Sequence, residues 1–220
     1  MPYEFEGLNW LTEGGSCLGD LIVVVGNTGL GKSTLATQMV GYMWRTHGYK
    51  TLIYSGEMDA GWVIRDLSLQ QDYESEVDDE SCSIASVIDL EGIEYAAKEE
   101  NVKVFLIDNL MTLSQFGDDL YMAQSRSVKK LKEIALKYNC LIVLVCHPNK
   151  TKDFKKGDDL TIDSISGSSN IGNLANLIMA LNRGESENER ILEVLKNRKT
   201  GQLGRLKLSF TKHNKRYEEV

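Results

Sequence analysis

The sequence predicts an α/β domain in which a mostly parallel, twisted sheet carries helices on both faces and ends in a C-terminal β-hairpin. Short apolar runs alternate with amphipathic stretches over most of the chain, which is typical of βαβ units. After residue 184 the pattern changes to two β-like runs joined by a polar turn that contains glycine. The 220 residues, 42% hydrophobic and 26% charged, can bury a sizeable core, so we expect a single domain over residues 1–220.

The apolar runs define the predicted elements in chain order. Parallel strands are predicted at residues 21–25, 51–55, 104–108, 141–146 and 177–181. Helices are predicted at residues 32–45, 61–71, 92–99 and 120–138. The last helix shows the clearest pattern, because its apolar residues recur at helical spacing and lysines and a glutamate fill its other faces. The hairpin is predicted from residues 190–196 and 204–210, and the polar segments 72–80 and 149–169 are predicted to be loops.

Composition excludes several classes of protein. No apolar run approaches the roughly 18 residues of a membrane span, and the N-terminus lacks the basic and apolar regions of a signal peptide, so we expect a cytoplasmic protein without a membrane partner. The four cysteines are widely spaced, which argues against a zinc site. Residues 1–148 hold 11 Lys and Arg against 22 Asp and Glu, whereas residues 149–220 hold 14 against 10. A polyanion should therefore meet the C-terminal third.

A phosphate-binding motif follows the first predicted strand. The segment GNTGLGKS matches G-x-x-x-x-G-K-[ST] between a strand and an amphipathic helix, which is the context that this motif requires. Its glycines let backbone N–H groups wrap an anion, Lys32 would reach the β and γ phosphates, and Ser33 would hold Mg²⁺. The sequence therefore predicts a nucleoside triphosphate site. Its residues are Gly26, Asn27, Thr28, Gly29, Leu30, Gly31, Lys32, Ser33 and Thr34.

Two acidic residues follow other predicted strands. Asp108 ends the apolar run 104–108, which predicts a Mg²⁺-binding carboxylate at the carboxyl edge of the sheet, near Ser33. Glu57 follows the strand 51–55 after Gly56. Its position alone fits either a surface glutamate or a group that activates water for hydrolysis.

Several ordered motifs resemble the RecA-like motor domain of ring-shaped replicative helicases: the DnaB family, the phage primase-helicases and Twinkle. The resemblance runs from about residue 7 to about residue 217. It rests on the segments LTEGGSCLGDLIVVVGNTGLGKST, LIYSGEM, VFLIDNL, LIVLVCHPNK, ISGSSNIGNLANLIMALNR and LEVLKNRKTGQLG. It implies a RecA-like P-loop NTPase fold, ATP and Mg²⁺ as cofactors, Glu57 as the catalytic glutamate and His147 as a γ-phosphate sensor.

The resemblance also implies a shared active site. Arg198 would be an arginine finger that completes the ATP site of the neighbouring subunit, with Lys196 beside it. A homo-oligomer is therefore expected, and a hexamer if a ring forms. Arg183 and Phe210 would enclose the adenine base. One alternative is that Lys196, Arg198 and Lys199 are ordinary charges of an exposed hairpin. The other is that Phe210 belongs to the core.

Single-stranded DNA is the expected polymer partner. Lysines at positions 150, 152, 155 and 156 lie on the predicted loop after His147, and Gly167 and Ser168 fall where the resembling helicases keep a DNA-facing loop. Aspartates dilute the charge of this segment, so a purely solvated loop is the alternative. The candidate DNA-binding residues are Lys150, Lys152, Lys155, Lys156, Gly167 and Ser168. A primase or a helicase loader would be a further protein partner.

The sequence thus predicts a helicase motor that hydrolyses ATP with Mg²⁺ to translocate on single-stranded DNA. The alternative is a non-motor RecA-like ATPase whose nucleotide state regulates assembly or a partner protein. We expect the chain to lack the collar and linker helix of the resembling enzymes, and this expectation and the acidic first half favour the alternative. A small-molecule P-loop kinase would need an arginine-rich lid, and residues 149–169 contain no arginine.

Overall fold

Nine strands form one sheet in the computed structural model, which describes residues 1–70, 80–113, 120–148, 160–165 and 168–220. The spatial order of the strands is β3-β2-β4-β5-β1-β6-β7-β8-β9. The strands are β1 (Leu21–Gly26), β2 (Thr51–Ser55), β3 (Cys82–Ala85), β4 (Val104–Asp108), β5 (Leu141–Cys146), β6 (Leu177–Arg183), β7 (Glu189–Asn197), β8 (Gly204–Thr211) and β9 (Arg216–Glu219).

The first six strands are parallel and the last three are antiparallel. Strand β1 lies between β5 and β6, with Val25 opposite both Cys146 and Ala180. From β6 onward each strand is antiparallel to the one before it. Arg183 therefore pairs with Arg190 at the end of the sheet where the parallel strands finish, which we call the carboxyl edge, and Leu177 pairs with Asn197 at the end where they begin. Strands β7, β8 and β9 extend the predicted hairpin by one strand.

Helices cover both faces of the sheet, as predicted. Alternate residues of β1 enter two separate apolar cores, because successive side chains of a strand point to opposite faces. Ile22 and Val24 pack in one core, and Val23 and Val25 in the other. The helices are α1 (Glu6–Leu11), α2 (Lys32–His47), α3 (Ala60–Gln70), α4 (Leu90–Lys98), α5 (Leu110–Leu113), α6 (Leu120–Tyr138) and α7 (Ser168–Leu174). Buried residues of α1, α2 and α3 lie in the first core, and those of α4, α5, α6 and α7 in the second.

The fold class predicted from the sequence is confirmed, with differences at the ends of elements. Helix α4 begins two residues before the predicted start, because the Asp89 side chain caps it by accepting a hydrogen bond from the Gly92 N–H at 2.8 Å. Helix α2 continues to His47 and ends where Gly48 adopts a left-handed backbone conformation, with φ of 67°. Elements α1, β3, α5, α7 and β9 were not predicted.

Two predicted loops lie largely outside the described residues. The structure describes only residue 80 of the acidic segment 72–80, and residues 160–165 and 168–169 of the lysine-rich segment 149–169. In the part of the chain that is described, no helix combines the length and the apolar character that crossing a membrane requires.

Candidate nucleotide site

The carboxyl ends of the parallel strands bring the predicted site residues together. Gly26 ends β1, Asp108 ends β4 and His147 follows β5, while the Ser55–Asp108 pairing places the end of β2 beside β4. In open α/β sheets, ligands bind in the crevice outside this edge. The loop that follows β1 therefore faces the residues that follow β2, β4 and β5.

The loop between β1 and α2 has the backbone shape of a phosphate cradle. Gly29 and Gly31 have φ of 78° and 92°, a left-handed conformation that glycine adopts without steric cost. Lys32 is the first residue of α2 and is buried, and its Nζ donates a hydrogen bond to the Asn27 carbonyl at 3.3 Å. Burial lowers the pKa of Lys32, and the Asp108 and Glu57 carboxylates oppose that shift. The ammonium group thus lies between the loop and the acidic side of the site.

Ser33 and Asp108 form the pair expected for Mg²⁺. The Ser33 hydroxyl is hydrogen-bonded to the Asp108 carboxylate, which is only 4% exposed. Burial raises the pKa of Asp108, and the hydrogen bond from Ser33 acts in the opposite direction. A hydroxyl and a carboxylate at the mouth of a phosphate loop are the ligands that P-loop NTPases present to Mg²⁺. These two side chains therefore fit the ion that the sequence predicts.

Glu57 and His147 meet through a third residue, Asn109. The Asn109 Nδ2 group donates a hydrogen bond to Glu57 Oε1 and lies 3.1 Å from His147 Nε2. His147 Nε2 lies 3.4 Å from the same Glu57 oxygen. The Glu57 side chain is 49% exposed, so water can reach its carboxylate, whereas Asn109 is fully buried. Asn109 was not predicted as a site residue, although a second polar residue directly after Asp108 was the available signal.

The two predicted adenine residues stand at the same edge on different strands. Arg183 ends β6 and is exposed, and Phe210 lies on β8 with β7 between them. The Phe210 ring packs on Tyr217 with ring centroids 5.0 Å apart and is partly buried against the core. Phe210 therefore contributes to packing in this structure, while its position at the carboxyl edge also suits the predicted role.

Lys196 and Arg198 lie at the other end of the strands, away from the carboxyl edge. Because β7 is antiparallel to β6, it begins beside the phosphate loop and ends at Asn197, roughly 25 Å away by strand geometry. Arg198 is exposed, and its backbone N–H donates to the Asn176 carbonyl at 2.8 Å. Lys196 Nζ donates to the Gly172 carbonyl at 2.5 Å. Burial, and then the charge of Arg198, lower the pKa of Lys196. Neither residue lies near the phosphate loop of its own chain.

Most of the predicted DNA-binding residues fall outside the described part of the chain. Lys150, Lys152, Lys155, Lys156 and Gly167 are not described, and Ser168 is the first residue of α7.

Comparison with known protein families identifies the family of this chain. A family model described as an AAA domain matches residues 2–153, which is more than half of the chain. The chain belongs to this AAA-domain family. The matched residues 2–153 include the phosphate loop, Glu57, Asp108, Asn109 and His147.

A curated relative and several solved structures extend the likeness of this AAA domain. It is 25% identical to the DNA repair protein RadA of Aquifex aeolicus (strain VF5) over 219 residues, which are 98% of this chain but 45% of that protein. A DnaB-like replicative helicase, solved for its interactions with primase, superposes with a TM-score of 0.84 at 16% identity over 98% of this chain and 62% of its own. This AAA domain thus spans about half the length of RadA and less than two thirds of that helicase.

Two further structures match this AAA domain along nearly their whole length. A solved ATPase domain gives a TM-score of 0.85 at 16% identity, covering 100% of this chain and 90% of its own. A KaiC-like protein from the hyperthermophilic archaeon Pyrococcus horikoshii OT3 gives 0.76 at 19% identity, covering 100% and 98%. The chain therefore belongs to the AAA-domain family, and its fold is that of the ATPase domains in these structures, including the one from a DnaB-like helicase.

Proposed function

We propose that this domain binds ATP with Mg²⁺ at the carboxyl edge of its sheet and hydrolyses it. One observation carries the proposal: Lys32, the Ser33–Asp108 pair and the Glu57–Asn109–His147 cluster converge on the crevice beside a glycine-rich loop. Lys32 and the loop amides would bind the phosphates, and Ser33 and Asp108 would hold the ion. The bound ion would neutralise charge that develops on the transferred phosphoryl group.

Glu57 is the group proposed to activate water. Its carboxylate is half-exposed at the end of β2, and the amide of Asn109 holds one of its oxygens. A positioned carboxylate can accept a proton from water in the transition state. His147, which lies against Asn109 and Glu57, is proposed to report the presence of the γ phosphate to this cluster.

The site is proposed to be completed by a second copy of the chain. Arg198 is an exposed guanidinium at the edge opposite the phosphate loop, so it can enter only another chain's site. An arginine supplied in this way stabilises transition-state charge and is worth about 10³–10⁵ in rate in other NTPases. We propose a homo-oligomer, hexameric if it closes into a ring, with Lys196 beside the finger and with Arg183 and Phe210 at the adenine.

Translocation on single-stranded DNA is the proposed use of hydrolysis. It rests on the resemblance to DnaB-type helicases and on the excess of Lys and Arg over acids in residues 149–220. Lys150, Lys152, Lys155 and Lys156, together with Gly167 and Ser168, are the proposed contacts to the strand. Because few phosphates would be neutralised per subunit, the salt dependence should be modest. A primase or a helicase loader is the proposed protein partner, and the cytoplasm the proposed location.

The second candidate is a non-motor RecA-like ATPase whose nucleotide state regulates assembly or a partner protein. The excess of 22 acids over 11 bases in residues 1–148 favours it, because such a surface repels nucleic acid. The two candidates differ in one measurable property. A motor should hydrolyse ATP faster when a single-stranded oligonucleotide is present, whereas the regulator should not respond to the strand.

The decisive experiment measures ATP turnover with and without an oligonucleotide for the wild type, Lys32→Ala, Arg198→Ala and an equal mixture of the two variants. Each variant alone should be nearly inactive. The mixture should regain activity, because a chain with an intact Lys32 receives Arg198 from its neighbour. Arg205→Ala, which removes a different exposed guanidinium, is the matched control. Near-normal turnover by Arg198→Ala would remove the finger assignment, and wild-type turnover that the oligonucleotide does not change would favour the regulator.

A further inference from the structure

Two side chains from the C-terminal strands donate to a single carbonyl of the phosphate loop. The Leu30 carbonyl accepts a hydrogen bond from Arg190 Nε at 3.1 Å and from the Tyr217 hydroxyl at 3.0 Å. Arg190 also hydrogen-bonds the Tyr217 side chain. Arg190 lies on β7 and Tyr217 on β9, so both donors come from outside the parallel part of the sheet.

Both donors are themselves held in place. Tyr217 is 2% exposed, and its backbone N–H and carbonyl pair with the side-chain amide of Gln38 at 2.7 and 2.8 Å. Gln38 is fully buried on α2, the helix that begins directly after the loop. The Arg190 Nη1 group donates to the carbonyls of Glu187 and Glu189, each at 2.7 Å. The two donors therefore meet the loop from fixed positions.

The approach of Tyr217 leaves no room for a side chain at position 31. A Cβ atom on Gly31 would lie 2.1 Å from the Tyr217 hydroxyl, far closer than real contacts allow. Gly31 also has φ of 92°, which disfavours any other residue. Gly31 is therefore required both by the backbone conformation of the turn and by the close approach of the Tyr217 hydroxyl.

Holding this carbonyl also orients an amide. The peptide unit between Leu30 and Gly31 is planar, and in a trans peptide the C=O and N–H point in opposite directions. Donors that fix the carbonyl on one side therefore turn the Gly31 N–H toward the other side. In phosphate loops of this motif, backbone N–H groups bind the β phosphate of the nucleotide.

We propose that Arg190 and Tyr217 are positioning residues that hold the Leu30–Gly31 peptide in its phosphate-binding orientation. The proposal rests on the proposed nucleotide site and adds two residues to it that touch no phosphate. It places the support of the loop in β7 and β9, far along the chain from the loop itself.

The test measures the Kd for ATP and for ADP by calorimetry in Tyr217→Phe and Arg190→Gln. Tyr217→Phe keeps the ring against Phe210 and removes only the hydroxyl, so we expect each Kd to rise about tenfold. The control is Tyr3→Phe, because the Tyr3 hydroxyl is also buried and is hydrogen-bonded to Ser16, away from the site. Tyr3→Phe should bind both nucleotides as the wild type does.

Unfolding by urea separates a loss of stability from a loss of position. If Tyr217→Phe and Tyr3→Phe lose similar stability and only the former loses affinity, the positioning role is supported. Wild-type affinity in a folded Tyr217→Phe would overturn the positioning role. If Tyr217→Phe does not fold, the same comparison of affinity and stability is made with Arg190→Gln, and wild-type affinity in that variant would overturn the role. Absence of ATP and ADP binding by the wild type would instead contradict the proposed nucleotide site.

Discussion

The side-chain nitrogen of Asn109 lies 3.1 Å from His147 Nε2, and the same nitrogen donates to Glu57. One buried amide therefore joins His147, directly after β5, to Glu57, two residues after β2. The other end of the amide is also engaged, since Asn109 Oδ1 accepts from the Met111 N–H at 2.8 Å. Asn109 is thus held by its own turn and presents its NH₂ group to both partners.

Replacing Asn109 should impair turnover more than binding. In Asn109→Ala, Glu57 and His147 lose their shared partner, so we expect kcat to fall about 10- to 100-fold while the Kd for ATP changes less than about threefold. Single-turnover hydrolysis and calorimetry measure the two quantities. Asn9→Ala is the control, because it removes an amide that pairs with the Tyr3 backbone elsewhere. An unchanged kcat in Asn109→Ala would contradict the role of the cluster.

Glu57→Gln tests the proposed base directly. The amide keeps the size of the side chain and cannot accept a proton from water, so turnover should fall at least about 100-fold. ATP binding should persist, because Lys32 and the loop amides, not Glu57, are the proposed contacts to the phosphates. Trapping of unhydrolysed ATP on the variant, measured after rapid filtration, checks the expectation. Glu133→Gln, an exposed residue of α6, should hydrolyse ATP like the wild type.

Lys132 is connected to Arg198 by hydrogen bonds through Asn176. Its buried ammonium donates to the Gly19 carbonyl and to Asn176 Oδ1, both at 2.7 Å, and the Asn176 carbonyl accepts the Arg198 N–H. Lys132→Met should lower the free energy of unfolding by about 1–3 kcal/mol, because the buried Gly19 carbonyl loses its side-chain donor and Asn176 Oδ1 keeps only the Leu21 N–H. Urea denaturation measures it. Lys129→Met, exposed on the same helix, should change stability by less than about 0.5 kcal/mol, and equal effects would refute the expectation.

Glu94 should make stability depend on pH at the acidic end. Hydrogen bonds from Lys130, Tyr138 and Lys137 lower the pKa of Glu94 to about 2. An unfolded glutamate titrates near about 4.3. The ionised cluster therefore stabilises the fold above that value, and its contribution is lost as the pH falls toward 2.

Glu94→Gln provides the measurement for this cluster. At pH 7 the variant should be less stable by up to about 1 kcal/mol, because the ion pairs are partly exposed. Urea denaturation between pH 3 and 7 should show the difference shrinking below about pH 4.5. A difference that stays constant down to pH 3 would show that the charge of Glu94 does not contribute.

Local pattern was enough to predict the centre of the sheet. Strand β1 consists of consecutive apolar residues that are buried on both faces, so its sequence stands out, and the observed strand is one residue longer than predicted. In β3 only Cys82 is fully buried, and β9 has the polar sequence RYEE, so neither shows an apolar run. Helix α1 is six residues long and has no side-chain cap, so it lacks the usual signals of a helix start.

The residues of the candidate site also fall into those that a local motif predicts and those that depend on the assembled sheet. The proximity of Lys32, Ser33 and Asp108 could be predicted because each belongs to a short motif beside a strongly apolar strand. The role of Asn109 depends on where two other strand ends lie, and the contact of Tyr217 with Leu30 depends on the pairing of β7, β8 and β9. Such relationships come from the assembled sheet, and no local pattern encodes them.

Strand β7 carries Arg190 near one end, and Arg198 follows its last residue. In an assembly where Arg198 enters the adjacent copy, this strand would support the phosphate loop of its own chain through Leu30 and reach the next copy's site through the guanidinium. It pairs with β6 up to Asn197 and with β8 from Glu189 to Val194. In a ring of such copies, one short stretch of backbone would therefore link each nucleotide site to the next.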